Sequence, residues 1–117
     1  GSDGLDEATV TGPTRVSELK EGIISTYNID PIDLFGRTFD GKDLVGGDSS
    51  LNAQIARDVL TGKDGACRSI VLLNAALAIM AGEKAGTLKE GLAIAADCID
   101  SGKAARKLQE LIEMSNS

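Results

Sequence analysis

With 117 residues and a mass of 12.1 kDa, the chain has the length of one small domain. A chain this size buries roughly 65% of the surface it exposes when unfolded, so a core is within reach. The complete lack of histidine excludes a Ser-His-Asp triad and His-ligated zinc, and eighteen acidic against twelve basic residues leave a net charge of −6 that repels phosphate backbones and argues against a nucleic-acid partner.

Any core must be aliphatic, because aromatics reach 3% and amount to Tyr27, Phe35 and Phe39. Two cysteines, Cys67 and Cys98, carry no CxxC spacing. They suit small core positions in a reducing compartment better than a disulfide scaffold. The longest apolar stretch, Ile70 to Gly82, holds Asn74 inside it and is too short to span a bilayer. The first residues show neither the basic nor the apolar region of a signal peptide, so a cytoplasmic setting is expected.

The chain divides near residue 50. Ala8 is the one alanine before that point, and both prolines, Pro13 and Pro31, lie before it too. Residues 1–50 therefore read as strands and loops, and residues 51–117 as helical. Thr14 to Leu19 and Ile23 to Ile29 form a hairpin pattern with one face partly wet. Lys20-Glu21-Gly22 suits a three-residue loop closed by a bulge. A short helical turn is expected over Pro31 to Phe35, then a glycine-rich loop to residue 50.

Four helices follow in the pattern. The first covers about Leu51 to Thr61, capped from Asp48, Ser49 or Ser50. The second, Ala66 to Ala81, is apolar on nearly every side and reads as a central helix whose cover this chain supplies incompletely. The third opens on Thr87-Leu88-Lys89-Glu90, a reciprocal capping box. The fourth begins after Ser101-Gly102. Its basic residues sit at the N-terminal end, against the helix dipole, with an Arg106–Glu110 pair in partial compensation.

The run Asp3-Gly4-Leu5-Asp6-Glu7 is the strongest chemical candidate. Carboxylates around a flexible glycine suit a hard cation such as Mg²⁺, which takes a few protein oxygens plus waters and substrate phosphates. Spacing alone leaves open, and favours, a solvated acidic stretch at a frayed terminus. Gly46-Gly47-Asp48 offers backbone N–H groups to a phosphate, or simply a capped helix start. Asn74 inside an apolar helix needs partners, and a structural hydrogen bond to a neighbouring loop is expected.

These strings, taken together, resemble the anthranilate phosphoribosyltransferase family. The resemblance is carried by Asp3-Gly4-Leu5-Asp6-Glu7, by Thr11-Gly12-Pro13-Thr14 with Val16 and Glu18-Leu19, and by Gly46-Gly47-Asp48 with Asn52-Ala53. Leu72-Leu73-Asn74-Ala75-Ala76 and Ile99-Asp100-Ser101-Gly102-Lys103-Ala104 complete it, in order and in register. It implies an α/β parent fold of the nucleoside phosphorylase and phosphoribosyltransferase type, of which this chain is the C-terminal portion. It also implies transfer of phosphoribose from phosphoribosyl pyrophosphate to anthranilate in tryptophan biosynthesis, with Mg²⁺ held by Asp6 and Glu7. In that family the helical N-terminal domain, the Gly-rich pyrophosphate loop and the anthranilate contacts lie upstream. The chain alone is therefore expected to be inactive, to pair with the missing N-terminal part and to self-associate. Two other readings stay open: a portion of a pyrimidine nucleoside phosphorylase-like enzyme, and a non-catalytic interaction module.

Overall fold

The computed structural model describes residues 1–116. Strand β1 (Thr14–Lys20) and strand β2 (Ile23–Ile29) pair antiparallel, from Thr14 opposite Ile29 to Lys20 opposite Ile23. The loop between them is two residues long, one shorter than the sequence suggested. Glu21 and Gly22 both take positive φ, 52° and 80°, the signature of a type I′ turn. That turn matches the strand twist, so Lys20 joins the ladder instead of the loop.

Helix α1 (Pro31–Phe35) forms where the short turn was expected, with Asp30 accepting the Ile32 N–H and Pro31 at its first position. A single 3₁₀ turn, Gly41–Leu44, breaks the loop that follows. Helix α2 (Ser49–Leu60) starts two residues before the apolar stripe, because Asp48 takes the cap and accepts the Leu51 N–H at 2.8 Å. Helix α3 (Ala66–Ala81) has the bounds its pattern gave. Helix α4 (Leu88–Asp100) and helix α5 (Lys103–Ser115) complete the chain.

Two sequence-level details change at these helix ends. Thr87 Oγ1 accepts the Glu90 N–H, but the Glu90 carboxylate reaches past Thr87 to the Gly86 N–H at 3.0 Å. The box is therefore closed one residue early. In α5 the ion pair is Lys107–Glu110 at 3.1 Å, an i, i+3 contact, and not Arg106–Glu110.

Helix α3 divides two apolar clusters. Leu73, fully buried, packs with Ala8, Val10 and Ile29 on the hairpin side. Leu72 packs with Val59, Ala95 and Ile99 on the helical side. Neighbouring positions on a helix point about 100° apart, so adjacent leucines can serve different layers. α4 approaches α3 closely because Gly91 has no side chain. A Cβ there would sit 2.9 Å from the Ala76 carbonyl oxygen. Arg68 joins the same two helices from outside, its guanidinium meeting the Asp100 carboxylate at 3.0 and 3.1 Å.

The expected gap in the cover of α3 is smaller than the sequence implied. Leu73 and Ala76 are fully buried, while Val71 stays exposed. The larger exposed apolar surface is at the hairpin tip, where Leu19, Ile23 and Ile24 are 71%, 67% and 71% exposed. The hairpin projects because only its base, at Thr14, Val16 and Ile29, reaches the core. The radius of gyration of 15.2 Å, against about 13 Å for a compact chain of this length, reflects that projection.

Candidate metal centre

The site is built on the segment that leads into β1. Ala8, Thr9 and Val10 are buried, so the N-terminal stretch is not frayed. Val10 enters the hairpin-side cluster, and its carbonyl accepts the Phe39 N–H at 2.9 Å. Thr9 donates its backbone N–H to Thr14 Oγ1 at 3.0 Å, tying the segment to the first residue of β1. The Ser2 N–H meets the Pro13 carbonyl at 3.1 Å and closes the segment into a loop.

Within that loop the three carboxylates of the acidic run separate in role. Asp3 turns inward along the loop. Its Oδ2 accepts the hydroxyls of Thr9 at 2.5 Å and Thr11 at 2.7 Å, and its Oδ1 accepts the Leu5 N–H at 3.1 Å. The Thr9 and Thr11 hydroxyls, with the Leu5 N–H, favour the charged form and lower its pKa from 3.8 to about 2. Asp6 and Glu7 are exposed, and among the described residues neither carboxylate makes a hydrogen bond or ion pair. The pair sits on the loop that enters β1, with both carboxylates open.

Asn74 holds this loop from α3. Its Nδ2 donates to the Ala8 carbonyl at 2.8 Å, and its Oδ1 accepts the Ala8 N–H at 3.0 Å. A third bond, from Nδ2 to the Ile70 carbonyl at 2.9 Å, orients the amide on its own helix. The half-buried Asn74 amide is thereby satisfied, and both polar groups of Ala8 are paired with it.

The glycine pair has a parallel arrangement. Asn52 accepts the Gly47 N–H at 2.8 Å and donates to the Gly47 carbonyl at 2.9 Å. With Asp48 on the Leu51 N–H, two donors at this helix start are committed, and Asp48 caps the helix, as one of the two sequence readings has it. A side chain at Gly46 would collide with Asn52 Oδ1. Gly46, Asn52 and Glu7 all line one groove of about 480 Å³, otherwise walled by Leu44, Ile55 and Ile70. The fold thus brings two separate sequence candidates to one place, with Glu7 the one charged residue on the groove wall. Cys67 lines it as well, its thiol donating to the Asp43 carbonyl at 3.4 Å.

Two free exposed carboxylates fit a hard cation that completes its shell with water and phosphate oxygens. They do not form an all-protein cage: no group of three or more metal-binding side chains occurs among the described residues. The role of Asp3 was not legible from spacing. Its signal is the Thr9-x-Thr11 pair downstream, whose two hydroxyls both reach one oxygen of the Asp3 carboxylate.

Residues 1–105 match the family model described as "Glycosyl transferase family, a/b domain". The chain belongs to this glycosyl transferase family. The anthranilate phosphoribosyltransferase of Desulfosudis oleivorans is 48% identical over 118 residues, covering 100% of this chain and 35% of that protein. That of Rhodopseudomonas palustris strain BisB18 is 49% identical, over 100% of this chain and 34% of the relative. The crystal structure of anthranilate phosphoribosyltransferase from Thermus thermophilus superposes with a TM-score of 0.86 at 30% identity, across 98% of this chain and 34% of that one. The chain therefore spans about a third of the length of the family members it matches, and its hairpin and helices are part of an α/β fold. Among the described residues no helix is long and apolar enough to cross a membrane.

Proposed function

We propose that the chain is the C-terminal part of an anthranilate phosphoribosyltransferase, transferring phosphoribose from phosphoribosyl pyrophosphate to anthranilate in tryptophan biosynthesis. The observation that carries this reading is the similarity, 48% identity across the whole chain, to an enzyme of that name. The open Asp6–Glu7 pair supports it, because neither carboxylate has a partner that the fold itself requires.

In this reading Asp6 and Glu7 hold Mg²⁺. When bound, the ion neutralises negative charge on the departing pyrophosphate. Without it the two carboxylates would repel that group, so their exposure suits a cation-dependent site. Asp3 is committed to the loop and stays out of the ligand set. The donors for pyrophosphate and the anthranilate contacts come from upstream polypeptide. The assembled enzyme is a cytoplasmic homo-oligomer, a homodimer in the simplest case. The chain by itself is inactive and self-associates through the apolar hairpin tip, since two strands alone are marginal in water. Light scattering over an about hundredfold concentration range is expected to show mass rising with concentration. A constant monomer mass would exclude that step.

The deciding experiment supplies the upstream two-thirds of the enzyme in trans. Loss of anthranilate fluorescence, dependent on both phosphoribosyl pyrophosphate and Mg²⁺, is expected from the mixture and not from the chain alone. Turnover by the chain alone would refute its inactivity. No turnover from a demonstrably formed complex would refute the enzyme reading.

A further inference from the structure

Asp6 and Glu7 lie between two restraints that reach the loop from opposite directions. Before them, Asp3 fixes the Leu5 N–H and reaches forward to the Thr9 and Thr11 hydroxyls. After them, Asn74 grips both polar groups of Ala8, the residue next to Glu7. The two side chains differ in origin: one belongs to the loop, the other to a helix 66 positions away in sequence. We propose that Asp3 and Asn74 are positioning residues that together hold the backbone of Asp6 and Glu7 in a fixed, open arrangement for a divalent cation.

The inference rests on the metal reading above and extends it to residues that touch no metal. Asn74 interrupts the otherwise apolar stretch from Ile70 to Ala81, and an alanine would suit that helix better by propensity. All of its side-chain hydrogen bonds outside its own helix go to Ala8. Asp3 is exposed, yet its carboxylate is committed to the hydroxyls of buried Thr9 and of Thr11, which ties residue 3 to the far side of the Asp6–Glu7 turn. Partners that fix the groups carrying a metal's ligands matter for affinity, with losses of about 10–100-fold when they are removed. A pair of flexible carboxylates would bind one ion only after paying the entropy of ordering their backbone.

The test uses the ¹⁵N-labelled 117-residue chain and Mn²⁺ as a paramagnetic stand-in for Mg²⁺. Heteronuclear NOEs at the Asp6 and Glu7 amides report order, and broadening of those amides reports binding. Asn74→Ala and Asp3→Asn are each expected to lower the NOEs at both residues and to weaken Mn²⁺ binding about tenfold. Gln109→Ala removes an exposed side-chain bond to Glu113 on α5 and is expected to change neither. Asp3→Asn alters an exposed side chain, so it keeps the test alive if Asn74→Ala unfolds the chain. Unchanged order and unchanged Mn²⁺ affinity in Asp3→Asn would overturn the proposal. Lower order with unchanged affinity would overturn it as well. A parent chain whose Asp6 and Glu7 amides do not broaden at millimolar Mn²⁺ would instead sink the metal reading, whatever the variants do to order.

Discussion

The layer around α3 and the loop before β1 are held by different forces. Between α3 and α4 the contact is side chain against backbone, with Gly91 allowing the Ala76 carbonyl to come close and Leu72, Ala95 and Ile99 filling the space. In the loop, residues 1–7 contribute nothing to the buried core, and their order comes from hydrogen bonds of Asp3 and from the Asn74 grip on the following residue. Packing is non-directional and grows with area, whereas a hydrogen-bonded loop keeps chosen groups free of partners. The second arrangement is what a ligand-binding segment requires. The two regions meet at Asn74 and Leu73, neighbours on α3 that face different tasks.

Replacing one side of that meeting point tests the packed region first. Leu73→Ala, at the fully buried position, is expected to cost about 2–5 kcal/mol by chemical denaturation, a large share of the about 5–15 kcal/mol a domain has. Asn74→Ala, next door, leaves the Ala8 N–H and carbonyl without their partner and is expected to cost about 1–3 kcal/mol. If it cost as much as Leu73→Ala, the loop would be part of the core and the contrast would fail. The matching change Asn52→Ala removes an exposed clamp of the same geometry, and about 0.5–1 kcal/mol is expected from the same measurement.

The smallest effect is local and depends on pH. Asp3 has a folded-state pKa near 2, below its ordinary value of 3.8. Its carboxylate therefore contributes fully above about pH 4, and the contribution is lost as pH falls through 2. Exchange of the Leu5 amide is expected to gain protection relative to the unfolded chain above pH 4 and to lose it towards pH 2. Asp3→Asn is expected to flatten that profile while α3 amides keep theirs.

The helices were legible because their signals are local. Asp48, Thr87, Gly82 and Gly102 mark ends by chemistry that acts within one turn, and the long apolar run of α3 needs no partner to be seen. The need of Asn74 for partners was equally visible, since a buried amide must bond to something. What it bonds was not visible, because Ala8 carries no side-chain signal and is far away in sequence. Asp3 was grouped with Asp6 and Glu7 because composition treats all carboxylates alike, and geometry separates them. The sequence pattern makes the hairpin loop one residue too long because glycine can close either turn, and only the positive φ of Glu21 distinguishes them.

The central claim is that Asp6 and Glu7 serve chemistry and not the fold. The direct measurement pairs thermal stability with turnover for Asp6→Asn and Glu7→Gln combined in this chain, assayed with the upstream polypeptide supplied in trans. With no partner among the described residues, the pair is expected to leave the melting temperature of the chain unchanged within about one degree. Mg²⁺-dependent consumption of anthranilate is expected to fall on the order of a hundredfold or more. A variant that melts several degrees lower yet turns over at the parent rate would contradict the account.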